Sequence, residues 1–371
     1  MRPLSLRFSN SRQSLPHNCS DCSFFRRTSV GYPNVTKTSP FATCWQILPL
    51  VSRSFAVVIR WLPRKLDDAV MVSYLLCRIA DTLEDSVRNV DEKRRQLARF
   101  AACLDEGRPE IPLDAFPPTY LCLMTRTDDV LASYRALPPA ARTIIRARVN
   151  EMCAGMAKWC DRRIVTLADQ NEYCYYVAGL VGLMLTDLFH AYGHVSDRDK
   201  AQLTPLAVDF GLALQKVNIL RDLREDLTED RCYWPEEVMS KHGLTAETIL
   251  KSENVTAALA VMEDLVDEHW EYLETALRYL MLLPMSQLRL RIFCAIPLFM
   301  AVATVRRCEG NPAVFQGPRP VKIPRRQARA IVVRSLSLGS CNNYLQSWYR
   351  RWQRGTVDRP SPFHAVASLL P

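Results

Sequence analysis

The sequence predicts an all-α fold built as a single domain. Three observations carry that reading. From about Phe41 to Gly310 the apolar residues recur at spacings of three and four, the period of an amphipathic helix rather than a strand. Helix breakers fall in short clusters: Leu62-Pro63, the 107–118 stretch with its four prolines, Pro138-Pro139, Gly193 and Pro284. Twelve glycines in 371 residues, with almost no alternating β-branched runs, argue against a β architecture. A composition of 48% hydrophobic and 23% charged residues is that of an ordinary globular chain. Neither G-x-G-x-x-G nor G-x-x-x-x-G-K occurs, which removes the common nucleotide-binding loops.

Taken in order, residues 1–40 hold turn formers without periodicity and are predicted to be a disordered extension. Their Arg- and Ser-rich, acid-poor character faintly resembles a transit peptide. Residues 41–340 form the helical body, and 341–371 a C-terminal tail. No apolar run reaches the ~18–20 residues of a membrane-spanning helix. The closest, Tyr173 to Leu185, is followed by Asp187. The net charge of +9 belongs to the ends: residues 1–50 carry +5, residues 316–371 carry +9, and the body carries −5. That pattern gives no nucleic-acid groove through the body. It fits either peripheral attraction to an anionic membrane or solvated tails. In the tail, Trp348, Tyr349 and Trp352 alternate with Arg350, Arg351 and Arg354, a mixture that suits a bilayer interface or an exposed helix end. Thirteen scattered cysteines, among them Cys77, Cys153, Cys174 and Cys294 in apolar helical patterns, read as reduced core residues of an intracellular protein. Cys19 and Cys22 make a lone C-x-x-C, a weak metal signal.

Two acidic signatures carry the chemistry. Asp81-Thr82-Leu83-Glu84-Asp85 and Asp222-Leu223-Arg224-Glu225-Asp226 each set two aspartates four apart, on one helix face. Like charges at that spacing cost an exposed helix about 0.2–0.5 kcal/mol, so a cation is the natural reason for them. Tyr74, Arg78, Asp81 and Asp85 form a polar stripe on an otherwise apolar helix, which must face a cavity or be neutralised by partners. Gln215, Asn218, Asp222 and Asp226 repeat the stripe, flanked by Arg221 and Glu225. Mg²⁺ takes hard oxygen ligands, commonly one or two carboxylates with substrate phosphates completing the shell. Arg78 and Arg221 suit phosphate oxygens through their planar forks. Between the clusters, Tyr173 to Leu183 carries Gly179 and Gly182, each costing about 1 kcal/mol in a helix interior. Close approach by a neighbouring helix or by a substrate chain would explain both. Tyr173 is a candidate proton acceptor or cation stabiliser. His190 and His194, four apart, lack a third metal ligand and read as a helix-end surface pair.

These residues resemble the squalene/phytoene synthase family, in its eukaryotic-type branch. The resemblance runs from about Ala42 to Leu336. It rests on Ser52-Arg53-Ser54-Phe55-Ala56, Tyr74 through Asp85, Tyr173 through Gly182, Leu214-Gln215-Lys216 with Asn218-Ile219-Leu220-Arg221-Asp222, Tyr233-Trp234-Pro235, and Phe293-Cys294-Ala295-Ile296-Pro297. It implies an isoprenoid synthase fold with a central cavity. The implied reaction condenses two farnesyl diphosphates to presqualene diphosphate, which NADPH reduces to squalene for sterol and triterpenoid synthesis. It implies Asp81, Glu84, Asp85, Asp222, Glu225 and Asp226 around Mg²⁺, and Arg53, Ser54, Arg78 and Arg221 on the diphosphate. Tyr74 would line that site, Tyr173 would assist proton removal, and Phe293 would wall the second-step pocket. Phe55, Asn218 and Lys322 would belong to the NADPH region. It also implies a monomer in the cytoplasm or peripheral on the endoplasmic reticulum. The chain departs from the family at Met184, Asp187 and Leu298, and at Pro324 beside Lys322. Those departures leave open a relative with an altered product or an inhibitor-tolerant pocket, and a non-catalytic prenyl-lipid binder.

Overall fold

The computed structural model describes residues 39–86, 89–107, 116, 118–317 and 320–355. They contain sixteen α-helices and no strand. Short α1 (Ala42–Val51) and α2 (Arg53–Ile59) lead into α3 (Leu66–Ser86) and α4 (Val90–Ala102). Next come α5 (Pro118–Met124), α6 (Thr127–Arg135) and α7 (Pro139–Trp159). Helix α8 (Leu167–Cys174) runs through one wide π-turn (Tyr175–Gly179) into α9 (Leu180–Ala191). The longest, α10 (Asp197–Thr228), is followed by α11 (Glu236–Lys241), α12 (Val255–Leu282) and α13 (Leu288–Cys308). Last are α14 (Ala313–Gln316), α15 (Arg325–Leu338) and α16 (Asn342–Gln353). Residues 1–38, with Cys19 and Cys22, lie outside the described residues.

Local chemistry explains the main elements. In α3, Val70, Met71, Leu75, Leu76, Ile79, Ala80 and Leu83 are each at most 3% exposed, so almost the whole circumference is core. Full burial of one such side chain is worth about 1.5–3 kcal/mol. Its first-turn Asp67 and Asp68 complement the helix dipole, and Asp68 also accepts a 2.7 Å bond from Trp45 Nε1. Helix α7 starts on a proline in its first turn, where no N–H is missed. Helix α8 opens with a capping box between Thr166 and Asp169. Ser196 caps α10, which at 1.5 Å per residue is about 48 Å long. Helix α10 packs against α9, the π-turn, α12 and α13, while α7 packs against α3, α4 and α9.

Glycines set the closest of these contacts. A Cβ on Gly182 would lie 1.9 Å from the Ala207 carbonyl oxygen, and one on Gly211 would lie 2.2 Å from that of Ala178. The backbones of α9 and α10 therefore touch, and helix packing accounts for Gly182. Gly179 sits similarly against Val208 and Leu212 of α10. Gly182→Ala is expected to destabilise the fold by about 1–3 kcal/mol, read as a lower urea midpoint. A wild-type midpoint would mean that the two helices separate freely.

The C-terminal stretch differs from the expectation of an exposed aromatic surface. Leu345, Trp348, Tyr349 and Trp352 are buried, and Trp348 stacks on Phe299 at 3.7 Å between centroids. Their spacing of three, one and three is one face of a helix, so the aromatics turn inward and Arg350, Arg351 and Arg354 point out. Residues 342–353 are thus a packed helix of the body. Leu167–Ala191 and Leu288–Cys308 are each long and apolar enough to cross a bilayer, although a linear scan for uninterrupted runs misses both. The second has 78% of its apolar window buried and serves as a core helix here.

Candidate active site

Helix α3 supplies one wall. Tyr74 is half-buried, with its ring 5.4 Å from that of Phe55 in α2. One turn on, Arg78 stacks over Tyr120, donates a 3.0 Å bond to its hydroxyl, and lies 3.7 Å from Asp81. Glu84 is buried behind the two aspartates, and Asp85 is the most exposed of the three. Arg53 and Ser54 stand at the start of α2, and their side chains lie outside what the structure describes.

The opposing wall is the last third of α10. Arg221 grips Asp222 with both arms of its fork, one contact being 2.6 Å. Asn218 is exposed between buried Val217 and Ile219, so this face of α10 is open to solvent. Asp226 is half-buried and Glu225 exposed. The helix ends in a Schellman cap: Arg231 N–H donates to Asp226 O at 2.9 Å and Asp230 N–H to Leu227 O at 3.3 Å. The cap needs a left-handed residue, supplied by Asp230 at φ 56°. This reversal aims Arg231 across the cleft, where its guanidinium binds both Asp85 of α3 and Glu229. Arg231 thereby ties the first acidic cluster to the C-terminal end of α10, just past the second.

The carboxylates are short of positive charge. Burial pushes Asp81 up to about 7 against the pull of Arg78. Burial, then Asp85 and Asp81, raises Glu84 to about 8. Burial and neighbouring Asp222 raise Asp226 to about 7. Among the described residues, no three His, Cys, Asp or Glu converge closely enough to cage an ion alone. Hard oxygen donors that leave coordination places free fit Mg²⁺ shared with a phosphate-bearing ligand.

Tyr173 lies beside this cluster. It is 6% exposed, with its ring stacked on Tyr233 at 4.9 Å and edged by Trp159 at 6.2 Å. Burial, then the charge on Glu84, raises its hydroxyl well above the ordinary tyrosine range. Phe293 of α13 is 4% exposed and edge-on to Phe189. Lys322 is exposed ahead of α15, and no contact described here joins it to Phe55 or Asn218. Of the departures, Met184 and Leu298 are fully packed. Asp187 is taken up by Arg148 at 3.3 Å and Lys200 at 2.8 Å, between α7 and the start of α10. His190 pairs with Asp197, and His194 bonds Gln287, so they do not form a metal pair. Sequence reasoning missed Arg231 and the role of Tyr233. Both sit in an irregular connection with no periodicity to read.

An all-helical body with two acidic helices closing on one cleft is that of a prenyltransferase acting on isoprenoid diphosphates. The squalene/phytoene synthase family model matches residues 48–327. The squalene synthase of Schizosaccharomyces pombe is 36% identical over 315 residues, 82% of this chain and 67% of that protein. That of Rattus norvegicus is 33% identical over 317 residues, 83% of this chain and 74% of that one. The solved complex of TcSQS with the ligand E5700 superposes with a TM-score of 0.79 at 30% identity, covering 89% of this chain and 95% of that one. The chain belongs to the squalene/phytoene synthase family.

Proposed function

We propose that this chain condenses two farnesyl diphosphates to presqualene diphosphate and reduces that intermediate to squalene with NADPH. The observation that carries the proposal is the approach of the α3 and α10 acidic clusters, with Asp226 near enough to feel the charge of Asp85 and Arg231 tying Asp85 to the end of α10. The similarity to squalene synthases over most of the chain supports the choice of substrate. Asp81, Asp85, Asp222 and Asp226 would hold Mg²⁺, with Glu84 and Glu225 beside them. When bound, the metal neutralises charge on the departing diphosphate. Arg78 and Arg221, placed one helical step from those carboxylates, orient the phosphate oxygens, as would Arg53 and Ser54. Apolar walls from the Tyr173–Gly182 stretch and Phe293 exclude water from the carbocation. The Tyr173 oxygen would receive the proton lost when the cyclopropane closes and pass one on to the released diphosphate, which leaves the phenol neutral again. The exposed Asn218 amide and Lys322 ammonium suit the amide and phosphate groups of NADPH, with Phe55 offering a ring. The outward arginines of α15 and α16 support peripheral attraction to an anionic bilayer such as the endoplasmic reticulum surface. The test is a product assay with labelled farnesyl diphosphate and Mg²⁺. Squalene is expected with NADPH and presqualene diphosphate without it. Absence of diphosphate release would overturn the proposal, and dehydrosqualene as the product in the presence of NADPH would overturn its reductive half.

A further inference from the structure

The loop after α10 does more than deliver Arg231. Two residues on, Tyr233 lies flat against Tyr173, with ring planes 19° apart and centroids 4.9 Å apart. The Tyr173 hydroxyl donates to the Tyr233 hydroxyl at 3.3 Å. Tyr233 is itself pinned. Its carbonyl accepts a 2.8 Å bond from Gln170 Nε2, one turn before Tyr173 on α8. The next residue, Trp234, is fully buried and donates from Nε1 to Ile219 O at 3.0 Å. Beyond it, Glu236 and Glu237 N–H bond the carbonyls of Ile164 and Val165 at 3.0 and 2.9 Å. The loop is therefore bolted to α8 on one side and to α10 on the other.

The geometry points to Tyr233 as a positioning residue for Tyr173 in the first half-reaction. A phenol has one hydrogen to donate and two lone pairs to accept with. By donating to Tyr233, Tyr173 commits its hydrogen and leaves its lone pairs turned towards the proton lost from substrate, which ends on the released diphosphate so that the phenol is regenerated. Trp159 edges the ring at 6.2 Å while Tyr233 stacks on it, so the phenol cannot tilt without breaking one contact. Misplacement of a reacting group by about 1 Å can cost on the order of 100-fold in rate, which gives this clamp a kinetic consequence.

This inference rests on the prenyl-transfer reading, and its test separates the two. Tyr233→Phe keeps the stack and removes only the acceptor oxygen. The rate of presqualene diphosphate formation is expected to fall about tenfold, with KM for farnesyl diphosphate within about twofold of wild type. In Tyr173→Phe the further change Tyr233→Phe is expected to cost nothing, because a residue acting through Tyr173 has no effect once that hydroxyl is gone. Additive losses, a wild-type rate in Tyr233→Phe, or a wild-type rate in Tyr173→Phe would each overturn the proposal. A second readout does not need turnover: in protein labelled with 3-fluorotyrosine, the Tyr173 ¹⁹F resonance should shift in Tyr233→Phe. An unmoved resonance would overturn the proposal even if wild-type protein proved inactive on farnesyl diphosphate. Inactive wild type with a shifted resonance would sustain the clamp and sink the assigned reaction.

Discussion

Asp81→Asn is expected to lower diphosphate release from farnesyl diphosphate by about 10³-fold, on the order of 4 kcal/mol in the barrier. The substitution keeps the volume and removes one formal charge from the N-terminal end of the α3 cluster. Asparagine still offers a carbonyl oxygen, but a neutral amide is a much weaker Mg²⁺ ligand than a carboxylate. A linked measurement follows from the protonation of this cluster. Asp81 and Asp226 sit at about 7 and Glu84 at about 8, so each holds a proton for part of the time near neutral pH. A cation binding there must displace those protons. Mg²⁺ titrated with diphosphate at pH 7 should therefore release protons, and its apparent affinity should rise as the pH goes from 6 to 8 and those raised carboxyls lose their protons. Asp81→Asn should reduce the release. Turnover within tenfold of wild type at saturating Mg²⁺ would show that Asp81 is not a ligand.

The second large effect lies in the scaffold. Arg291 is fully buried, and no carboxylate among the described residues pairs with it. Its fork serves carbonyl oxygens instead: Leu280 at 3.0 Å, Leu283 at 2.6 Å and Gly339 at 2.9 Å, together with the Asn342 amide oxygen. Leu280 lies in the last turn of α12 and Leu283 just beyond it, where carbonyls have no partner within the helix. One side chain on α13 thus caps α12 and secures the turn between α15 and α16. Burial lowers the guanidinium's affinity for its proton, and the ring of carbonyl dipoles compensates the charge. Arg291→Ala is expected to cost about 3–5 kcal/mol by orphaning those acceptors. At about 2–4 °C per kcal/mol, melting should fall by roughly 10 °C. Arg291→Lys should recover only part of the loss, since an ammonium cannot span acceptors on two sides. A melting temperature unchanged in Arg291→Ala would refute this account.

The helical body and the two acidic walls could be read from the sequence because helix period is a local property. Tyr74, Arg78, Asp81 and Asp85 announce themselves by spacing alone, and so do Asn218, Asp222 and Asp226. What escaped depends on contacts between distant parts of the chain. Arg231 meets Asp85 across 146 positions, and its direction is set by the left-handed Asp230, which no pattern marks. Tyr233 stood in view within a recognisable motif, but its partnership with Tyr173 needs two helices and a cap to be placed first. Arg291 looks like an ordinary surface cation two residues from Arg289 until its carbonyl cage is seen. The aromatic stripe of α16 misled because linear reading mixes two faces of one helix: the arginines suggested a bilayer, while the tryptophans at helical spacing belonged to the core. Asp187 looked like a disturbance of the pocket until Arg148 and Lys200 were found on it.

The wide turn at Tyr175–Gly179 has a geometric consequence for everything on either side of it. In unbroken α-geometry, residues nine apart lie about 180° from one another around the axis. Tyr173 and Gly182 are nine apart, so one would turn its back on whatever the other faced. A π-turn absorbs one extra residue and takes roughly 100° out of that angle. The pair then differ by about a quarter of a turn, which lets a phenol address the acidic cleft while a glycine still rides on α10. The turn works as a phase shifter between a half-helix that faces the acidic residues and one that packs on α10. Deleting a single residue from it would put the two halves out of step by about 100° while leaving Tyr173 and Gly182 themselves unchanged.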